Sequence, residues 1–245
     1  MGGGHTSLAE FYAKHAMRSD VESCHLLTVQ LHQLEAAHRR SPLSNVVDLG
    51  AGGGASTANA MRALPDTTFL GVDISSYALR EFRRRTGANA LRASLDVDLP
   101  FGSRSVDAVI CDDVIEHLVD PDRLVHEVRR ILRPGGHLFL TTPNLAAWFN
   151  RGMLALGRQP VFSEVSLERV FGRPGSQVVG HLRLYTKPAL VQFLEHHGFQ
   201  IEQLDGAGFD ALPSWLRSVD RAIARAPGSA AILVCWARRP RSTTS

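Results

Sequence analysis

The sequence predicts a doubly wound α/β fold, a sheet of parallel strands wrapped by helices, and three observations carry that prediction. From Asn45 onward, short β-rich runs alternate with helical stretches, which is the texture of strands joined by helical crossovers. The first such strand runs straight into a glycine-rich turn, Gly50-Ala51-Gly52-Gly53-Gly54, that opens a helix. A chain of 245 residues with 44% hydrophobic and 21% charged residues can bury a large core, so disordered, collagenous and low-complexity classes drop out.

The elements follow in order. Residues 1–44 read as a helical preface, because Leu8, Phe11 and Tyr12, then Val21, Leu26, Leu27, Leu31 and Leu34, are spaced as on amphipathic helices. Residues 45–245 read as one domain, with strands expected near 45–49, 67–72, 89–93, 106–111, 136–141, 199–204 and 230–236. Between the fourth and fifth strands Asp120 can cap a helix and Pro121 suits its first turn. Leu124, Val125, Val128, Ile131 and Leu132 give it one apolar stripe, and Pro134-Gly135-Gly136 stops it. Thr186 can cap a later helix that buries Leu190, Phe193 and Leu194 and ends at Gly198. Two stretches exceed a minimal alternating fold: 143–180, with Trp148, Phe149, Phe162 and Phe171, and 205–228, with Phe209 and Trp215. Ligands of open α/β sheets sit beyond the strand carboxyl ends, so these insertions are expected to form the acceptor side of a pocket.

Several function classes fall away. No apolar run approaches the ~20 residues of a membrane span. The first residues lack the basic and then apolar order of a secretion signal, and the three cysteines, Cys24, Cys111 and Cys235, form no CxxC pair. A cytoplasmic protein without a disulfide framework is expected. Lys and Arg exceed Asp and Glu by only three, and the arginine pairs are scattered, so nucleic acid is not the favoured partner.

The strongest chemical signal is Asn45-Val46-Val47-Asp48-Leu49 followed by the glycine turn. Glycines there allow positive φ and close approach of a ligand, a pattern that also satisfies the dinucleotide fingerprint. Nineteen residues after Gly54, Asp73 ends the next strand, where a carboxylate can accept both hydroxyls of a ribose. Asp48 in the loop entry would repel a pyrophosphate and hold a ligand bearing an ammonium group, which favours an adenosine cofactor of the latter kind.

From Asp48 to Phe199 the chain resembles the class I S-adenosylmethionine-dependent methyltransferases. Asp48-Leu49-Gly50-Ala51-Gly52-Gly53-Gly54 is similar to their first motif, and Asp73 to their ribose acid. Leu99-Pro100-Phe101, Ser105 to Ile110, Glu116-His117-Leu118 and Leu132 to Leu138 continue the order. The resemblance implies a mostly parallel seven-stranded sheet with one antiparallel strand and S-adenosylmethionine over the first four strand ends. It implies a cofactor site of Asp48, Gly50, Ala51, Gly52, Gly54, Asp73 and Ile74, with Ser94 and Leu95 flanking the adenine and Cys111 and Asp112 near the methionine half. Ser94 departs from the acid that the family often has there, with Asp96 as its substitute.

Methyl transfer to an alcohol or phenol needs a base or a metal for the acceptor's proton. Asp113, Glu116 and His117 fall at i, i+3 and i+4, one face of a helical turn, and His181 precedes the later helix. His117, His181 and Asp113 are therefore the catalytic candidates. Asp113, Glu116, His117 and His181 together are similar to the metal clusters of small-RNA 2′-O-methyltransferases and ubiquinone O-methyltransferases, so a divalent metal is a further candidate cofactor. Asp113 stands one methylene short of the Glu found there. The expected function is O-methylation of a small, partly apolar or aromatic metabolite. RNA 2′-O-methylation is the alternative, ahead of a nicotinamide-dependent oxidoreductase and a non-catalytic cofactor-binding regulator.

Overall fold

The computed structural model describes residues 24–241. Leu8, Phe11, Tyr12 and Val21 of the expected preface lie outside the described residues. Its last part forms helix α1, Cys24–Arg40. Strand β1 (Asn45–Leu49) leads into α2 (Ala55–Ala63), β2 (Thr68–Asp73) into α3 (Ser76–Thr86), and β3 (Asn89–Arg92) into β4 (Val106–Asp112). Helix α4 (Pro121–Ile131), β5 (Leu132–Pro143), α5 (Trp148–Ala155), α6 (Lys187–His196), β6 (Gln200–Ala207), α7 (Ser214–Ala224) and β7 (Ile232–Arg238) complete the described chain.

The seven strands form one sheet in the order β3-β2-β1-β4-β5-β7-β6. β1 to β5 pair in parallel, and β7 runs antiparallel to both β5 and β6. Side chains alternate across it with the two-residue period of a strand. Val47, Leu49, Val109, Cys111, Leu138 and Leu140 enter one core, with Leu124, Val125 and Val128 of α4 and Leu190 and Leu194 of α6. Val46, Ala108, Ile110, Phe139 and Trp236 enter the other, with Leu34 and Ala37 of α1 and Ala60 of α2. Both faces are covered, which is why the central strands are apolar throughout.

The helix ends follow their caps. Asp120 accepts from the Arg123 N–H at 3.0 Å, and Thr186 from the Ala189 N–H at 3.4 Å. The stop of α4 differs from expectation: the helix ends at Ile131, and Leu132 already pairs with Val106. Pro134, Gly135 and Gly136 form instead a bulge within β5, where the register shifts and Gly135 takes φ +86°.

Candidate active site

A cavity of about 1020 Å³ opens beyond the carboxyl ends of β1, β2 and β4, where this topology places ligands. Its cofactor-like half is built by the glycine turn. The Gly50 and Ala51 N–H groups donate to the Val72 carbonyl at 2.8 and 3.0 Å, which hangs the turn on the end of β2. Gly52 takes φ +49°, and a Cβ there would stand in open space facing the cavity. Gly54, at φ +79°, does not line the cavity; a Cβ there would lie 2.7 Å from Phe82 Cδ2. Its hydrogen is needed for α3 to pack on the turn, not for a ligand.

Asp73 is buried and accepts from Gly52 N at 3.0 Å and Ser75 N at 2.7 Å. Burial raises its pKa, and these N–H bonds oppose the shift. Asp48 accepts from Thr57 Oγ1 at 2.5 Å, and burial pushes its pKa up to about 7. Asp48 therefore anchors α2 beneath the turn as well as facing the cavity. Ile74, Ser94, Leu95 and Asp96 also line this half. Asp112 accepts from Gln30 Nε2 at 2.5 Å and Ser56 Oγ at 2.7 Å, so α1 and α2 both brace the end of β4. Cys111 is elsewhere: its side chain lies in the core, and burial holds its thiol well above the ordinary range. Strand alternation explains this, because its neighbour Asp112 faces the cavity and Cys111 must face the opposite way.

The acceptor-like half begins where β4 ends. Asp113 has φ +49°, a left-handed conformation that breaks the chain direction, and the Val114 carbonyl accepts from His117 N at 2.9 Å. Residues 113–117 thus form a turn rather than the expected helical face, because a left-handed residue cannot continue a right-handed helix. The turn nevertheless gathers Glu116 and His117, and the strap before α6 brings His181 to them. One donor atom from each of these three residues lies within 4.8 Å of the others. Asp113 stands apart from that trio; its carboxylate accepts from Thr141 Oγ1 at 3.2 Å, and burial raises its pKa.

Both imidazoles are oriented through Nδ1. His117 Nδ1 lies 3.2 Å from the Gly180 carbonyl oxygen, and His181 Nδ1 lies 2.8 Å from that of Phe162. A carbonyl only accepts, so each Nδ1 carries hydrogen and the neutral ring's lone pair sits on Nε2. Burial, with His181 beside it, pushes the His117 pKa down to about 4. Glu116 is fully buried; Thr142 Oγ1 donates to its Oε2 at 3.0 Å, and Oε1 has no partner among the described residues. Burial and the neighbouring Asp113 hold its carboxyl well above the usual range.

Apolar side chains close the cavity. Phe149, Phe162 and Phe209 form a mutually packed cluster with centroids 5.2–6.0 Å apart, and Met153, Leu212 and Ile232 extend the wall. Both insertions therefore contribute to it, but through different aromatics from those with the largest rings. Trp148 turns away and donates from Nε1 to the buried Asp220 at 2.8 Å, and Trp215 is 75% exposed. Asp220 also accepts from Phe209 N at 2.6 Å, so it ties α5, α7 and the cavity loop together. Leu26, Glu164 and Arg173 line the cavity without having been expected from the sequence. No local pattern marks them, since each reaches the cavity through long-range packing.

Residues 47–140 match the family model of a methyltransferase domain, and the matched segment contains the glycine turn, Asp73 and the His117 turn. Residues 47–140 thus carry a methyltransferase domain, and the match supports a class I S-adenosylmethionine-dependent methyltransferase. Among curated proteins, the chain is 32% identical over 104 residues to the ubiquinone biosynthesis O-methyltransferase of Cupriavidus pinatubonensis, covering 40% of this chain and 41% of that protein. It is 29% identical over 174 residues to the enzyme of the same description from Xanthomonas oryzae, covering 66% of this chain and 65% of that one. The chain thus spans between about two fifths and two thirds of the length of these relatives. An S-adenosylmethionine-dependent methyltransferase structure from Thermotoga maritima shares the fold at 17% identity and TM-score 0.60, covering 95% of this chain and all of that one. No helix among the described residues is long and apolar enough to cross a membrane.

Proposed function

We propose that this methyltransferase moves the methyl group of S-adenosylmethionine to an oxygen of a small acceptor with an apolar or aromatic body. The observation that carries the reading is the acceptor-side trio. His117 and His181, locked by Nδ1 hydrogen bonds, line one end of an aromatic-walled cavity, and the buried Glu116 clustered with them keeps one carboxyl oxygen without a partner among the described residues. Likeness to proteins described as ubiquinone biosynthesis O-methyltransferases supports oxygen as the methylated atom.

Displacement at a sulfonium carbon needs the nucleophile in line with the departing sulfur. Holding that geometry can supply about 7–11 kcal/mol of the barrier. Asp73 suits the ribose hydroxyls, Gly52 admits the cofactor against the backbone, and Phe149, Phe162 and Phe209 exclude water and seat the acceptor body.

The trio also fits a divalent cation. Glu116 Oε1 is a buried oxygen without a partner among the described residues, His117 stays neutral at pH 7, and each ring has its Nδ1–H on a carbonyl, the arrangement that orients histidine ligands. Glu116, His117 and His181 would hold the ion, and Asp113 stands close enough to add charge. When bound, such an ion lowers the pKa of an acceptor hydroxyl. With a pKa near 4, His117 is too weak a base to take that hydroxyl's proton unaided.

The test combines an acceptor panel of phenols, alcohols and amines with metal removal. Turnover is expected with hydroxylated acceptors, to be lost after EDTA treatment and restored by added divalent ion, with elemental analysis finding the metal. Turnover restricted to amines would overturn the oxygen assignment, and EDTA-resistant activity without bound metal would overturn the ion.

A further inference from the structure

The geometry points to Glu164 as the positioning residue that presets both acceptor-side imidazoles, with Arg173 as its counter-ion. The inference rests on the reading of His117 and His181 as the acceptor-side pair. Glu164 lies in the first insertion, in the cavity wall, and its side chain is only 3% exposed.

Three consecutive backbone N–H groups converge on its carboxylate. Oε1 accepts from Val179 N at 2.7 Å; Oε2 accepts from Gly180 N at 2.6 Å and from His181 N at 3.1 Å. Successive N–H groups cupped in this way form a cradle of the kind that usually receives an anionic ligand. Here the chain fills the cradle with its own carboxylate. Arg173 Nη2 lies 3.1 Å from Oε1, and the same guanidinium donates to the Ser163 and Gln177 carbonyls, closing the insertion around the charge.

The consequence runs through the backbone to the rings. Fixing Gly180 fixes its carbonyl, which orients His117 through Nδ1. Fixing His181 N places the second ring, whose own Nδ1 is held by Phe162, two residues before Glu164. The strap continues with Leu182 N and Arg183 N donating to the Glu116 carbonyl at 2.7 and 2.9 Å. One carboxylate thereby sets the backbone on which His181 and the partner of His117 depend, and that same strap is bonded to Glu116. Glu164 is not itself among the clustered donors, so it acts on the site through these residues and not on the substrate.

Glu164→Gln keeps the size of the side chain but breaks the cradle. One of its two polar atoms becomes an NH2 group facing N–H donors in either flip state, so at least one of the bonds is lost. Three measurements on the full chain separate the outcomes. Affinity for S-adenosylhomocysteine, which reports folding and the cofactor side, is expected to stay within about twofold. Long-range nitrogen–proton NMR spectra at pH 8, assigned with His117→Gln and His181→Gln, are expected to show single Nδ1–H tautomers in the parent. The same spectra of Glu164→Gln are expected to show mixed tautomers. Titration with Co²⁺ alone, read by its visible absorption, is expected to weaken by roughly 10–100-fold, the usual loss when groups orienting metal ligands are removed.

Single Nδ1–H tautomers at both rings in a folded Glu164→Gln variant would overturn the proposal. Co²⁺ failing to bind the parent while the tautomers still shift in the variant would refute the metal reading and support the positioning role. Should Glu164→Gln lose S-adenosylhomocysteine binding, Arg173→Gln takes over the test. It must move the tautomer signals in the same direction, and unchanged signals would overturn the proposal.

Discussion

Gly52 and Gly54 stand two residues apart in one turn, both at positive φ, yet alanine at each should fail in a different way. At Gly52, with φ +49°, an added Cβ meets nothing within 4 Å. The cost to the fold is then the left-handed conformation alone, about 1–2 kcal/mol. That is roughly 2–8 °C in Tm for a chain of this size. The methyl group stands in the cavity, however, where the proposed cofactor would meet the backbone. An overpacking cost of about 1–3 kcal/mol falls on the complex, which is roughly 5- to 150-fold in Kd for S-adenosylhomocysteine. At Gly54 the same backbone cost is joined by a Cβ placed 2.7 Å from Phe82 Cδ2 and 3.3 Å from Phe82 Cα, against a fully buried ring on α3. Overpacking there falls on the fold, for a total of about 2–5 kcal/mol, with folded protein binding the cofactor product almost normally. Thermal melts with calorimetric titration of S-adenosylhomocysteine decide the matter. Gly52→Ala binding as tightly as the parent would show that the cofactor does not lie over this turn. Equal stability losses in the two variants would refute the packing assignment of Gly54.

Three further outcomes are expected. Asp73→Ala should weaken S-adenosylhomocysteine binding by about 1.5–3 kcal/mol, the worth of hydrogen bonds to a charged group, and calorimetry showing unchanged affinity would remove Asp73 from the ribose site. His137 accepts from Trp236 Nε1 through its own Nδ1 at 3.0 Å, and burial pushes its pKa down from 6.5 to about 4. The unfolded chain therefore takes up this proton first, and stability falls as pH drops between those values, by at most about 1.4 kcal/mol per pH unit for this group. His137→Gln, which retains an acceptor, should flatten that slope in urea unfolding at pH 7 and pH 5; parallel slopes would count against it. Asp220→Ala strips the partners of Trp148 Nε1 and Phe209 N, so it should cost about 1–3 kcal/mol of stability and raise the acceptor KM while leaving cofactor affinity in place. Equal damage to both ligands would show that the roof is merely structural.

Much of the fold around the glycine turn was legible in the chain because its signals are local. The run from Asn45 to Gly54, the caps at Asp120 and Thr186, and Asp73 at the end of β2 are each decided by backbone sterics, strand alternation and capping within a few residues. The same locality explains the errors. Cys111 and Asp112 are adjacent in sequence, yet alternation sends one into the core and the other toward the cavity. The spacing of Asp113, Glu116 and His117 resembles a helical face, whereas a left-handed residue at Asp113 makes the segment a turn.

The proposed acceptor side was decided by tertiary structure. His117 is oriented by a carbonyl 63 residues away, and Trp148 is turned out of the cavity by a carboxylate 72 residues away. Glu164 carries no sequence pattern at all, because its partners are backbone N–H groups of a loop that has no regular period. Side chains on such loops point where distant hydrogen bonds and packing direct them. The chain alone thus determined the fold class and the glycine turn with its two acids, and only the packing of both insertions decided which of their residues line the cavity.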